Sequence, residues 1–187
     1  MDTPKFVRET WSDYEKACFV LADTLQKSGE NIDTIVAISR GGLVVARILS
    51  DLLDKPISHI TISTYLTMQQ SKEPFIDEVP SKAFTNQTIL IVDEICDTGK
   101  TLQRAVEYFS NFSIKKAVTG VPYVKPKASY KPTYSSKSVD GWIIFPYEVR
   151  ETFESMEKIF QSKEKALQTM KVLGFEEWEL SPFMFVQ

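Results

Sequence analysis

Apolar and polar positions follow one another along this chain in a strand–turn–helix rhythm. From Trp11 to Lys27 the residues Trp11, Tyr14, Cys18, Leu21, Ala22 and Leu25 recur at helical spacing, and Ser28-Gly29 offers a stop. A short apolar run, Thr34 to Ile38, predicts a buried strand. It breaks at Ser39-Arg40-Gly41-Gly42 and resumes as a helical pattern from Leu43 to Leu53. Ile57 to Ser63 alternates as a strand, and Thr88 to Val92 is a β-branched run of the kind found in central parallel strands. Thr101 to Phe109 predicts a helix; Ile114 to Val124 and Trp142 to Phe145 predict further strands. Strand, turn and helix repeated in this way specify an α/β fold, a central and mainly parallel sheet flanked by helices. Ligands of such sheets bind at the carboxyl ends of the strands. Both glycine-bearing turns, Ser39–Gly42 and Asp97–Gly99, fall at those ends and are expected to face one crevice.

Two polar stretches interrupt the rhythm, 64–87 and 125–140. A long loop inside a compact domain is usually a lid, a binding loop or a disordered segment, and for 64–87 lid and disorder both stand open. Beyond Arg150, residues 151–172 read as helix, with Phe153, Met156, Ile159 and Phe160 as a core-facing stripe. The aromatic-rich tail, 174–187, has no clear period. The expected division is a main domain over 1–150 and a C-terminal helical extension over 151–187, packed on that domain.

Composition narrows the class. The 187 residues suit one compact domain, and 43% hydrophobic with 25% charged residues is ordinary for a soluble protein. A net charge of −3 gives no general attraction for nucleic acid. Cys18 and Cys96 are too few for a disulfide framework and lack zinc-ligand spacing, so both read as structural. No apolar run is long enough to span a bilayer, and MDTPKFVRET lacks a signal-peptide core. The expectation is a cytoplasmic protein with neither a nucleic-acid nor a membrane partner.

The stretch Asp93-Glu94-Ile95-Cys96-Asp97-Thr98-Gly99-Lys100-Thr101 ends like a nucleoside triphosphate loop. A Walker loop, however, requires glycine where Glu94 stands, so that backbone amides can wrap the phosphates. What remains is a phosphomonoester site: consecutive amides, two hydroxyls and an ammonium at a helix N-terminus, with Gly99 permitting close approach. Asp93 and Glu94 would repel that phosphate by about 4 kcal/mol for charges about 4 Å apart near a surface. Hydroxyls that donate to the carboxylates, together with a Mg²⁺ ion, would compensate. A phosphate at one end and a vicinal diol at the other describe a ribose 5-phosphate. Ser39-Arg40-Gly41-Gly42 adds a guanidinium and glycine amides, suited to a second anion such as pyrophosphate.

On these residues "ILIVDEICDTGKTL" resembles the phosphoribosyl-pyrophosphate (PRPP) signature of the type I phosphoribosyltransferases, and "VAISRGGLVVARIL" is similar to their pyrophosphate loop. "YVKPKAS", "DGWIIFPYE" and the opening "TWSDYEKACFVLADTL" resemble segments of the 6-oxopurine branch, the xanthine, guanine and hypoxanthine enzymes. The likeness runs from about Trp11 to Glu148. It implies a Rossmann-like fold with a small hood, and a Mg²⁺-dependent transfer of phosphoribosyl from PRPP to a purine base in purine salvage. By that resemblance Asp93 and Glu94 would hold the ribose hydroxyls and Mg²⁺, and Asp97 would face purine N7 as general base. Asp97, Thr98, Gly99, Lys100 and Thr101 would bind the 5-phosphate, and Ser39, Arg40 and Gly41 the pyrophosphate. Lys125 would meet the exocyclic oxygen, Trp142 would stack on the base with Ile143 beside it, and Ser63, Thr64 and Tyr65 would begin a closing loop. Family members are commonly homodimers or homotetramers.

Blander roles compete with these. Asp97 could cap the helix that follows, Lys125 could be a solvated lysine, and Trp142, ahead of Ile143, Ile144 and Phe145, could be core. His59, the sole histidine, sits within a strand pattern and reads as structural. At the level of function, the alternatives are a catalytically silent PRPP-binding regulator and a phosphoribosyltransferase for another nucleobase.

Overall fold

The computed structural model describes residues 4–63, 66–67, 70–71 and 73–184, with only the backbone described at 66–67, 70–71 and 184. The expected elements appear with ends shifted by at most two residues: α1 (Trp11–Lys27), β2 (Thr34–Ser39), α2 (Gly42–Leu53), β3 (Ile57–Ser63), β7 (Thr88–Val92), α3 (Lys100–Phe109), β9 (Lys116–Val124) and β11 (Trp142–Ile144). Six elements lie where no strand was expected. These are β1 (Phe6–Arg8), the backbone pair β4 (Leu66–Thr67) and β5 (Gln70–Ser71), β6 (Phe75–Glu78), β10 (Tyr134–Ser138) and β8 (Ile95–Cys96), which lies inside the acidic turn.

The chain divides into two compact units, Glu15–Asp140 and a second made of Met1–Tyr14 with Gly141–Gln187. In the first, the described residues form a seven-stranded sheet of order β10-β9-β7-β2-β3-β6, with β8 paired to β9. The pairings β10–β9, β9–β7, β7–β2 and β2–β3 are parallel; only β6, on β3, is antiparallel. The central strands β2 and β7 are apolar throughout because both sheet faces are covered. Val36, Ile38, Ile60, Ile62, Ile89 and Ile91 meet Leu102, Ala105 and Phe109 of α3 on one face. Ile35, Ala37, Leu90 and Val92 alternate with them and are equally buried, while α2 packs on β2, β3 and β7. From β2 the chain crosses by α2 to β3 on one side, and from β7 by α3 to β9 on the other. The order therefore reverses between β2 and β7, which makes the crevice beyond their carboxyl ends the ligand position of this topology.

In the other unit β1 pairs in parallel with β11, and a second core gathers Ile144, Phe153, Met156, Ala166, Met170, Phe175, Leu180 and Phe183. The helix expected over 151–172 is two, α4 (Val149–Phe160) and α5 (Lys163–Val172), followed by α6 (Glu177–Met184). Gln161 turns left-handed at φ 50°, and Ser162 caps α5 by accepting from the Lys165 amide at 3.2 Å. Of the expected stripe, Phe153 and Met156 are buried, but Ile159 is exposed.

Candidate active site

The two glycine turns meet. The turn after β2 holds Ser39, Arg40, Gly41 and Gly42, with a cis peptide between Ser39 and Arg40. It leads directly into α2, whose cap position is Gly41 with no side-chain cap. The neighbouring strand β7 ends at Val92, so Asp93 and Glu94 emerge beside that turn. The approach is close: a Cβ built on Gly41 would fall 1.6 Å from Glu94 Oε2, and one on Gly42 would fall 2.4 Å from the Val92 carbonyl oxygen. Only glycine fits at Gly42, because the β7 backbone already fills the space, whereas a side chain at Gly41 would force the Glu94 carboxylate to move.

The acidic pair is electrostatically uncompensated. Asp93 is half-buried, and burial followed by the charge of Glu94 pushes its carboxyl well above the usual carboxylate range. The Glu94 amide donates to Asp93 Oδ1 at 3.1 Å, whereas Glu94 Oε2 is buried with no hydrogen-bond partner among the described residues. A buried, unpartnered carboxylate oxygen is costly unless a cation or hydroxyl donors arrive. No cluster of three or more His, Cys, Asp or Glu side chains forms a metal cage among the described residues. Mg²⁺ needs none, since it is commonly held by one or two carboxylates plus substrate oxygens. The donor set therefore fits a Mg²⁺ ion shared with a substrate.

From Glu94 the chain runs through β8 to Asp97, Thr98 and the N-terminus of α3. Gly99 occupies the cap position at φ 89°, and no side chain caps the helix. Asp97 thus does not cap α3; it is exposed, and its carboxylate accepts no hydrogen bond from a described residue. The first amides of a helix lack intrahelical acceptors, which leaves those of Gly99, Lys100 and Thr101 to a ligand, apart from a long 3.4 Å contact from Lys100 N to Thr98 Oγ1. The Lys100 ammonium holds the carboxylate of Glu73 at 2.7 Å, so this position already accepts an anion. The partnership of Glu73 and Lys100 had no sequence signal, because Glu73 falls within the polar 64–87 stretch.

Lys125 lies beside the same turn. It follows β9, and its amide donates to the Cys96 carbonyl at 2.9 Å, which puts it beside Asp97. Ser39, Arg40, Gly41, Asp93, Glu94, Asp97, Thr98, Gly99, Lys100, Thr101 and Lys125 all lie at the carboxyl ends of β2, β7, β8 and β9, in one unit. Trp142 and Ile143 belong to the other unit. Trp142 is 46% exposed rather than core, with its ring 6.5 Å from that of Phe6, while Ile143 is buried. Ser63 forms the last β3 position and bonds to Asp77; Thr64 and Tyr65 lie outside the described residues. His59 is half-exposed, 3.5 Å from Glu78. Cys18 and Cys96 are buried and unpaired as disulfides; burial, with Glu15 nearby, pushes the Cys18 thiol up to about 12. Burial also raises Cys96, so neither thiol is a nucleophile at neutral pH.

Comparison with known proteins finds a matching family and fold. The phosphoribosyl transferase domain family matches residues 10–154. A protein of Gluconobacter oxydans (strain 621H) named xanthine-guanine phosphoribosyltransferase is 28% identical over 155 residues, which are 81% of this chain and 89% of that one. A like-named protein of Cereibacter sphaeroides (strain ATCC 17025 / ATH 2.4.3) is 34% identical over 122 residues, 62% of this chain and 68% of that one. Among solved structures, the purine phosphoribosyltransferase of Pyrococcus horikoshii OT3 superimposes with a TM-score of 0.68 at 31% identity, covering 76% of this chain and 93% of its own. No helix among the described residues is long and apolar enough to cross a membrane. Strand order, the two converging turns and the match over residues 10–154 lead to one conclusion: this chain belongs to the phosphoribosyl transferase domain family.

Proposed function

We propose that the chain transfers the 5-phosphoribosyl group of PRPP to a 6-oxopurine base, xanthine, guanine or hypoxanthine, releasing pyrophosphate and using Mg²⁺. The observation that carries this reading is the order of the site. The pyrophosphate turn at Ser39–Gly41 touches the acidic pair Asp93–Glu94, and that pair leads within a few residues to the phosphate loop Asp97–Thr101. PRPP has the same order: pyrophosphate on C1, a diol at C2 and C3, and phosphate on C5.

The acceptor follows from Lys125. Its amide is bonded to the Cys96 carbonyl, which makes it a spatial neighbour of Asp97. N7 and O6 are likewise neighbours on one edge of a 6-oxopurine. A carboxylate can accept the N7 proton while an ammonium donates to O6; an adenine amino group in that place would meet a second donor. Trp142 is half-exposed on β11 and Ile143 is buried; stacking on the base is what the family resemblance implies for Trp142.

In the reaction, purine N9 forms a bond to C1 as the C1–O bond to pyrophosphate breaks, through a transition state with oxocarbenium character like that of glycoside hydrolysis. Asp93 and Glu94 accept hydrogen bonds from the ribose hydroxyls, and Mg²⁺ bound there would neutralise charge on the departing pyrophosphate. Arg40 and the Gly41 and Gly42 amides stabilise that leaving group, and Asp97 takes the N7 proton as N9 becomes alkylated.

Incubation with PRPP, Mg²⁺ and each base in turn, with pyrophosphate and nucleotide assayed, is expected to show turnover with 6-oxopurines. Binding of PRPP with no turnover on any base would instead identify a regulator. Lys125→Met is expected to lower kcat/KM for 6-oxopurines by about 10- to 100-fold, the worth of a hydrogen bond from a charged donor. PRPP affinity should change little; an equal loss across all bases would remove Lys125 from base recognition.

The raised carboxyl of Asp93 also predicts a pH effect in metal-free buffer. The folded state holds that proton more tightly than the unfolded chain, whose aspartates titrate near ~3.9. Stability is therefore fullest below that point and falls as pH rises towards the folded pKa. Asp93→Asn removes this loss while the Asn oxygen still accepts from the Glu94 amide. Above the window, the Asp93→Asn protein is expected to melt at a higher temperature than the wild type, as turnover falls. Thermal scans of both proteins from about pH 4 upwards in EDTA test this, and a wild-type melting temperature that does not fall relative to Asp93→Asn as pH rises would contradict it.

A further inference from the structure

The carbonyls on either side of Asp97 are both turned towards one segment, Lys125–Tyr130. The Cys96 carbonyl accepts from the Lys125 amide at 2.9 Å. The Thr98 carbonyl accepts from the Ser129 amide at 3.0 Å, the Tyr130 amide at 3.2 Å and the Ser129 hydroxyl at 2.9 Å. Cys96 Sγ donates to the Tyr130 carbonyl at 3.3 Å, and a Cβ on Gly99 would fall 2.6 Å from Tyr130 Cβ and from its carbonyl oxygen.

These bonds set a direction. In a trans peptide the C=O and the following N–H point to opposite sides of the chain. The Thr98–Gly99 peptide is trans, so pulling the Thr98 carbonyl towards Ser129 drives the Gly99 N–H the other way, out of the contact with Tyr130. That N–H is the last amide of the phosphate loop before α3.

We propose that Ser129 is a positioning residue for PRPP: its hydroxyl locks the Thr98 carbonyl and thereby aims the Gly99 amide at the 5-phosphate. The inference rests on the 5-phosphate reading of the loop. Ser129 touches no substrate in this role and acts only through the peptide it holds. Its side chain is exposed, and its hydroxyl donates to Thr98 alone among the described residues, so replacing it leaves the core intact. The two amide donors remain in any variant, which limits the effect to that of one hydrogen bond.

Ribose 5-phosphate titrations and steady-state kinetics on the full chain test the assignment. Ser129→Ala is expected to raise the Kd for ribose 5-phosphate and the KM for PRPP by about 3- to 10-fold, the range of one net hydrogen bond. The KM for the purine base and the melting temperature should stay near wild type, and Ser129→Thr, which keeps the hydroxyl, should restore PRPP affinity. Unchanged ribose 5-phosphate binding in Ser129→Ala, or an equal rise in both KM values, overturns the role. If the wild-type chain itself fails to bind ribose 5-phosphate, the loop assignment falls, and this inference with it.

Discussion

Asp97→Asn is expected to lower turnover by ~10²-fold or more while ribose 5-phosphate binding stays within about twofold of wild type. The amide keeps the shape of the carboxylate but cannot take the purine proton, so the loss should appear in kcat. A capping role would predict something else, since Asn caps helices as well as Asp does. The structure already argues against capping, because Gly99 holds the cap position of α3 and no side chain caps it. Asp97 is exposed at the end of β8, with the Cys96 carbonyl before it held by Lys125 and the Thr98 carbonyl after it held by Ser129 and Tyr130. Its position is fixed by backbone while its carboxylate is left to a ligand, the arrangement a general base requires. Rates of nucleotide formation at saturating PRPP and base, with separate titrations of ribose 5-phosphate, make the comparison. Near-normal turnover would demote Asp97 to a loop residue.

The central strands were readable because burial on both faces leaves no choice of residue: Thr88–Val92 is buried throughout, and so is most of Thr34–Ser39. The elements without a readable signal are the ones that escape that constraint. Tyr134–Ser138, with the sequence YSSKS, is an edge strand paired, among the described residues, only to β9, and edges carry polar and lysine residues that discourage pairing with other chains. Phe75–Glu78 is the opposite edge. The single helix expected over 151–172 concealed a break, because Gln161 in the left-handed region carries no glycine signal; the cap at Ser162 was the only mark. The site shows the same division. The motif glycines were legible, since Gly42 lies against the Val92 backbone and Gly41 against the Glu94 side chain. Ser129 was not, because what it contributes is a bond to a carbonyl, and many residue types at many positions can make one.

Gly99→Ala is expected to destabilise the chain by about 2–4 kcal/mol and to weaken ribose 5-phosphate binding by at least ~10-fold, the combined result of backbone strain and an overlap that the neighbour cannot absorb. Gly99 sits at φ 89°, where an L side chain is strained whatever space surrounds it. Here there is no space either. The added Cβ would fall 2.6 Å from both Tyr130 Cβ and the Tyr130 carbonyl oxygen, and backbone at that distance cannot swing away as the end of a side chain can. Relief requires the phosphate loop and the Lys125–Tyr130 segment to part, which stretches the bonds on the Thr98 carbonyl and turns the Gly99 amide off the phosphate. Gly29→Ala separates the two causes, because Gly29 has φ 70° and nothing within 4 Å of the added atom. It should cost only the conformational part, about 1 kcal/mol, with ribose 5-phosphate binding unchanged. Melting temperatures of the two variants, with ribose 5-phosphate titrations well below the lower one, give the comparison. Equal losses at both glycines would mean that the contact with Tyr130 contributes nothing, and that the loop is held by its own conformation alone.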